Sequence, residues 1–291
     1  MNEEKSTFDT VSKAQKKAKI TAVINRKGGS GKTTTVFLCA CNLSAMGKRV
    51  LVVDLDYQAS ATATFLLRNK DIDKSQMKVL DDILWGKANI RDVIVKCPVQ
   101  KREGEVEYTG IDIIPMKDSS LRYSSEDALA LKKVLKEVEG DYDYIIIDMP
   151  PDSPHMVEDP LAVKDGKPIK KYNLVTLGLA AADNYIIPAQ PTRASFEGVK
   201  LLTDNVMGIR RAFNPELRCL GVFISCCQRW SAAVMFAKAY KSLGRLWSGI
   251  VIKNSARVSS GVDFATPLSW VYTNDAGAQG YMQVTNLIMK G

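Results

Sequence analysis

Residues 21–46 read TAVINRKGGSGKTTTVFLCACNLSAM, a β-prone run, a glycine-rich loop and an apolar helical stretch in direct succession. Glycine at positions 28, 29 and 31 lets backbone N–H groups converge on phosphate oxygens with no Cβ in the way. The helix that follows turns its positive amino-terminal end toward the same anion. Strand, loop and helix in this order mark a phosphate-binding loop, made of Lys27, Gly28, Gly29, Ser30, Gly31, Lys32, Thr33 and Thr34. Lys32 is expected on the outer phosphates of a nucleotide, and the Thr33 hydroxyl on one coordination position of Mg²⁺. The general pattern G-x-x-x-x-G-K-[ST] is not fully met, because Arg26 stands in the place of its first glycine. What stands there instead is K-G-G-x-G-K-T, with an additional lysine at position 27.

Two acidic sites follow at the ends of later apolar runs. VLVVDLD carries Asp54 and Asp56, and YIIIDMPP carries Asp148. In an open parallel sheet, ligands gather at the carboxyl ends of the strands, so both sites can converge on the phosphate loop. Asp148 reads as the acid that holds Mg²⁺, directly or through water. Asp56 is placed to orient or deprotonate an attacking water, and it joins Thr33 and Asp148 as a candidate metal group. Lys32 and Asp56 are thus candidate catalytic residues. An aspartate that ends a strand is also an ordinary strand-end cap, and that alternative stands beside both roles.

The rest of the chain alternates short Val/Ile/Leu runs with helical patterns. Strands are expected at 20–25, 49–55, 110–114, 144–148, 184–189, 220–225 and 249–252, with helices at about 32–46, 78–84, 126–139, 194–213, 231–244 and 277–289. The implied class is α/β, a mostly parallel central sheet with helices on both faces. Residues 1–18 read as an arm or added helix, and 19–291 as a single domain. Within that domain Asp152–Tyr172, polar and containing three prolines, reads as an inserted loop.

Composition narrows the function classes. The 291 residues are 46% hydrophobic and 25% charged, the balance of a soluble globular protein rather than a fibre or a disordered chain. No apolar run approaches the roughly 18–20 residues that span a bilayer, and MNEEKSTFDTVSKAQKKAK lacks the apolar core of a signal peptide. Six cysteines, at 39, 41, 97, 219, 226 and 227, form no CxxC, so a cytoplasmic location is expected. His155 is the only histidine, which excludes a histidine-based metal site.

KGGSGKTTT, VVDLDYQASAT, IIIDMPP and IIPAQPTRASFEG together resemble the deviant Walker A group of P-loop NTPases, and within it the ParA-type partition ATPases. VLDDILWGKANIRDVIV and IVIKNSARVSSG extend the likeness over most of residues 19–291. The resemblance implies Mg²⁺-dependent, partner-stimulated ATP hydrolysis and an ATP-sandwich homodimer in which Lys27 reaches the partner's nucleotide. It implies that the ATP-dimer binds double-stranded DNA non-specifically at the nucleoid and that a ParB-like centromere-binding protein stimulates hydrolysis. It also makes Lys27 a catalytic residue beside Lys32 and Asp56, makes Asp56 the water-positioning acid and places Pro191 near the base. The chain departs from the family at Tyr57, where D-P-Q is usual, and at Lys253 and Asn254, where the family has proline and arginine. A DNA-reading domain ahead of the loop, found in larger members, has no room here, so operator-specific autoregulation is not expected.

The net charge of +8 is concentrated. Between Arg210 and Arg257 stand nine basic residues against Glu216 alone, a balance that favours phosphate backbones or anionic surfaces. Within QRWSAAVMFAKAYKSLGRLW, Ser231 reads as an N-cap, and Lys238, Lys241 and Arg245 fall on one helical face. Phe236, Tyr240 and Leu243 fall on the other. With Arg229, Lys253 and Arg257 they form the candidate DNA-binding set, although the pattern alone also fits an amphipathic surface helix. The alternative function is a ParA/MinD-like ATPase that positions a protein cargo on nucleoid or membrane. A membrane helix would need a basic carboxyl-terminal segment, whereas GYMQVTNLIMKG carries one lysine, so no stable membrane association is expected.

Overall fold

The computed structural model describes residues 17–66, 73, 76–102, 105–118, 124–164, 167–227, 230–263 and 274–291. Most of the expected amino-terminal arm and Arg229 lie outside these residues. A large sheet is built from β1 (Lys19–Val23), β2 (Val50–Asp54), β3 (Val95–Arg102), β4 (Glu105–Ile114), β6 (Tyr144–Asp148), β9 (Asn184–Ala189), β10 (Arg218–Cys227) and β11 (Trp247–Lys253). Its order is β11-β10-β9-β1-β6-β2-β4-β3. The pairings are parallel except for β3 on β4, which is antiparallel. The expected mostly parallel α/β sheet is therefore present.

The helices are α1 (Lys32–Ala45), α2 (Ser60–Phe65), α3 (Leu80–Leu84), α4 (Ile90–Val93), α5 (Ala130–Leu135), α6 (Leu174–Ala181), α7 (Arg193–Ala212), α8 (Trp230–Tyr240), α9 (Ala256–Asp263) and α10 (Ala276–Lys290). Alternate side chains of each strand enter separate cores on the two faces of the sheet. Ile145 and Ile147 of β6 join Leu131, Leu177, Val199 and Leu202 of α5, α6 and α7 on one face. Ile146 points to the other face with Val36, Phe37 and Leu43 of α1 and Tyr281, Val284 and Ile288 of α10. Each fully buried side chain of this size stabilises by about 1.5–3 kcal/mol. Helix α1 is thus enclosed between sheet and α10, where Asn42 Nδ2 donates to Thr285 Oγ1 at 3.0 Å.

The reading of Asp152–Tyr172 as a loop is corrected by the structure. Strands β7 (Met156–Lys164) and β8 (Lys167–Asn173) form an antiparallel hairpin there. β8 also pairs with β5 (Ser124–Ser125), giving a separate sheet of order β5-β8-β7. Pro160 is accommodated because β7 lies on an edge, where a missing N–H breaks no interior ladder. The reading of 231–244 as one helix also fails. Helix α8 starts at Trp230 and stops at Tyr240, so Ser231 lies inside it and is not its cap. Lys241–Leu246 form a 3₁₀ turn in which Gly244 has φ 60° and ψ −123°, a left-handed excursion that glycine allows. The cysteines at 39, 41, 97 and 219 are free thiols.

One close approach ties the core to the carboxyl ends of the central strands. A Cβ on Gly178 of α6 would lie 2.5 Å from Met149 Sδ and 2.9 Å from Leu55 Cδ1. Those residues flank Asp148 and Asp56, so the missing side chain lets α6 seat directly beneath the acids. Gly178→Val is expected to lower unfolding free energy by about 1–3 kcal/mol through overpacking, measured by chemical denaturation. Wild-type stability would show that α6 has room to move.

Candidate nucleotide and metal site

The loop after β1 is anchored before it turns. Asn25, nearly fully buried, donates from Nδ2 to the Pro188 carbonyl at 2.7 Å and accepts the Lys27 amide at 2.9 Å. Gly29 and Gly31 then take φ values of 68° and 87°, the left-handed region that side chains disfavour. Ser225 of β10 donates to the Ser30 carbonyl at 2.6 Å, and Thr35 closes the first turn of α1 by donating to the Gly31 carbonyl at 2.6 Å. Lys32 is buried and curls back so that its Nζ lies 3.4 Å from the Lys27 carbonyl. Thr34 sits half-buried beside it. Gly28 is exposed at the mouth of the loop.

The acids converge because their strands are in register. Val23, Asp54 and Asp148 end neighbouring strands at one level, with Asp148 paired to both. Thr33 Oγ1 donates to Asp148 Oδ2 at 2.7 Å. Asp148 is fully buried, and its other oxygen, Oδ1, has no hydrogen-bond partner; nor does the buried Ser30 hydroxyl. Burial, then the neighbouring Asp54 charge, pushes the Asp148 carboxyl well above the usual carboxylate range, opposed by the Thr33 hydroxyl and the Lys32 ammonium. Burial lowers the Lys32 ammonium, while Asp148 and Asp56 hold it up.

A buried carboxylate with a free oxygen, a hydroxyl on its other oxygen and a glycine cradle opposite is a donor set suited to a hard divalent cation and a polyphosphate. Among the described residues no three His, Cys, Asp or Glu side chains group to hold a metal. That fits an ion bound by one or two protein oxygens and completed by phosphate and water, as Mg²⁺ usually is.

Asp56 is mostly buried, and its Oδ1 accepts the Gln58 amide at 3.1 Å. It is held from behind by Asp54, to which the sequence reading gave no role. One Asp54 oxygen accepts the Asp56 amide at 3.0 Å. The other accepts both the amide and the hydroxyl of Thr62 at 2.8 Å. Burial pushes the Asp54 carboxyl up to about 6, against the pull of the Thr62 donors. Asp54 and Asp56 each accept the backbone amide two residues on, so both cap the end of β2 locally. The side chain of Asp148 accepts instead from Thr33 of α1, 115 residues away.

Gln190, at the end of β9, also escaped the sequence reading. Its Oε1 accepts from Lys27 Nζ at 2.7 Å, and its Nε2 donates to the Gly29 carbonyl at 2.7 Å. Lys27 is thus held within its own subunit. Pro191 follows, half-buried, beside the loop that Gln190 binds. The signal for Gln190 lay in IIPAQPTRASFEG, but only the crossing of β1 beside β9 shows which residue it meets.

The candidate DNA set is exposed but divided. Lys238, Lys241, Arg245, Lys253 and Arg257 all lie open to solvent. The break at Tyr240 removes the shared helical face of Lys238, Lys241 and Arg245. Lys241 and Arg245 precede the amino end of β11, while Lys253 and Arg257 lie at or beyond its carboxyl end, about 20 Å apart along the strand. Phe236 and Leu243 pack on the core as expected, and Tyr240 is fully buried.

A family model described as an AAA domain (AAA_31) matches residues 18–219. The sporulation initiation inhibitor protein Soj of Bacillus subtilis (strain 168) is 29% identical over 276 residues, spanning 91% of this chain and 96% of that protein. The chromosome partitioning protein ParA of Caulobacter vibrioides (strain NA1000 / CB15N) is 27% identical, over 93% of this chain and 94% of its own. In fold, the chain is similar to a putative plasmid partition protein from Borrelia burgdorferi B31 bound to AMPPNP, with TM-score 0.69 and 22% identity over 94% of this chain and 99% of that one. With the phosphate loop, the register-matched acids and the parallel sheet in place, the chain belongs to this AAA-domain family as a ParA-type partition ATPase of the MinD–ParA P-loop group.

Proposed function

We propose that residues 19–291 act as one ATPase domain that closes into an ATP-bound homodimer, binds DNA without sequence preference and is reset by a ParB-like partner. ATP and Mg²⁺ are its cofactors, and partition or positioning of a cargo is its broad role. The observation that carries the reading is the Thr33–Asp148 pair, 2.7 Å apart, with Asp148 Oδ1 unpartnered beneath the glycine loop.

In this mechanism the loop amides of 28–33 bind the phosphates, and Lys32 neutralises the oxygens that gain charge. Mg²⁺, when bound, would supply positive charge against the phosphate oxygens. Thr33 and Asp148 would hold the ion, and Asp56 lies on the same side of the site. Asp56, fixed by Asp54, orients the water that attacks and accepts its proton. Lys27 leaves Gln190 to complete the partner's site. Pro191 lines the base. The exposed cations at both ends of β11 contact phosphates along a duplex, and dimer formation doubles them, so weak contacts in one subunit become adequate in two.

The membrane variant of the cargo reading finds no support in α10. Its apolar residues Tyr281, Val284 and Ile288 are buried against the sheet, leaving no apolar face for lipid. Among the described residues no helix is long and apolar enough to cross a membrane.

Asp56→Ala is expected to bind ATP with near wild-type affinity and to lose at least about 100-fold in single-turnover hydrolysis; unchanged turnover would remove the assigned role. Lys27→Gln is expected to keep nucleotide binding by the single subunit but to lose ATP-dependent dimers in light scattering after gel filtration. Dimers of wild-type strength would count against a contact across subunits.

A further inference from the structure

Gln190 is engaged at every polar group it has. Besides the Lys27 and Gly29 contacts of its side chain, its amide donates to Ser195 Oγ at 2.9 Å. Its carbonyl lies 3.1 Å from the Tyr240 hydroxyl, which is also 3.4 Å from Ser195 Oγ. One residue therefore joins the phosphate loop to the end of α8.

Tyr240 is a joint rather than a passive core residue. It is fully buried, with its ring edge-on to Phe196 of α7 at 5.3 Å and stacked on Trp247 of β11 at 5.5 Å. It is the last residue of α8, and the turn that carries Lys241 and Arg245 begins directly after it. Gly244 breaks that turn at positive φ, so its 3₁₀ pattern does not run on as one regular helix. Leu243 and Leu246 pack the turn on the core, and its start follows the buried ring of Tyr240, whose hydroxyl meets the Gln190 carbonyl and Ser195 Oγ.

We infer that Gln190 is the positioning residue through which Lys27 controls the Lys241–Leu246 turn. The inference rests on the nucleotide reading above and names its regulation. With Lys27 on Gln190, the loop, β9 and Tyr240 form one hydrogen-bonded chain, and the basic turn is held. When Lys27 turns to a nucleotide, Gln190 loses the partner of its Oε1, and both the Gly29 contact and the Tyr240 contact are freed to rearrange. The coupling is reciprocal: a change at Tyr240 must reach the loop just as a change at the loop reaches Tyr240.

Amide hydrogen exchange on the full chain tests this, comparing wild type, Gln190→Ala and Tyr240→Phe without nucleotide and with ATP and Mg²⁺. The phenylalanine variant keeps the ring packing and removes only the hydroxyl. Without nucleotide, Gln190→Ala is expected to speed exchange at 241–246 by at least about three-fold, and Tyr240→Phe to speed 28–31 about two-fold. Residues 144–148 of β6 should exchange as in wild type in both. In wild type, ATP should protect 28–31 and speed 241–246. Wild-type rates at 241–246 in Gln190→Ala, or a rise that includes β6 equally, would overturn the inference. Absence of ATP protection at 28–31 would instead sink the nucleotide reading, while the nucleotide-free comparison still decides the role of Gln190. DNA takes no part in the measurement, so a failure of the DNA reading appears separately.

Discussion

The structure turns on a carboxylate that is out of water and only half satisfied. Asp148 ends the central strand of a sheet buried on both faces, accepts one hydroxyl and leaves its second oxygen unpartnered. The nearby Lys32 ammonium offsets part of the cost of burying this carboxylate, and a further cation or a proton would relieve the rest. A proton would relieve it locally. In the proposed site, a divalent ion shared with a polyphosphate would relieve it only when the glycine loop is also filled, which would link metal, nucleotide and sheet in one event.

The elements around Asp148 serve that link. Parallel register sets Asp54 level with it, and Asp54 spends its hydrogen bonds on the Asp56 and Thr62 backbones, so the acid nearest the solvent is aimed by the acid behind it. Helix α1 is enclosed between sheet and α10, which fixes the direction from which its amino terminus meets an anion. At the outer rim, Gln190 holds Lys27 and the loop together, and its carbonyl contact leads to Tyr240, next to the exposed Lys241. Rigid packing lies inward and adjustable contacts lie outward, the arrangement expected where chemistry needs a fixed frame and regulation needs movement.

Much of this was legible in the sequence. Tyr144–Asp148 and Asn184–Ala189 were delimited to the residue, because uniform β-branched and apolar runs bounded by polar residues have one good solution in a parallel sheet. The glycine turn between β1 and α1 was legible because glycine, lysine and threonine at fixed spacing after a strand have few other uses. Helix α6 was not, since LVTLGLAA is apolar all round and a buried helix has no amphipathic period to read. The hairpin at 156–173 was obscured by Pro160 and Pro168, which signal loop unless it is known that Pro160 lies on edge strand β7 and Pro168 in the part of β8 that β5 does not pair. The single helix expected over 231–244 ignored Gly244 and the pull of the core on Tyr240. Asp54 and Gln190 stood in plain view within these motifs, but Thr62 and Lys27, the partners that reveal their roles, are 8 and 163 residues away, and only the fold brings them together.

The most direct test of the whole account is binding of the purified chain to arbitrary duplex DNA by fluorescence anisotropy, with ATP and Mg²⁺, with ADP and with no nucleotide, over a salt series. The account predicts binding that requires ATP and Mg²⁺, ignores sequence and weakens steeply as salt rises. Equal binding in all three nucleotide states, or none in any, would contradict a DNA surface governed by the site at Asp148.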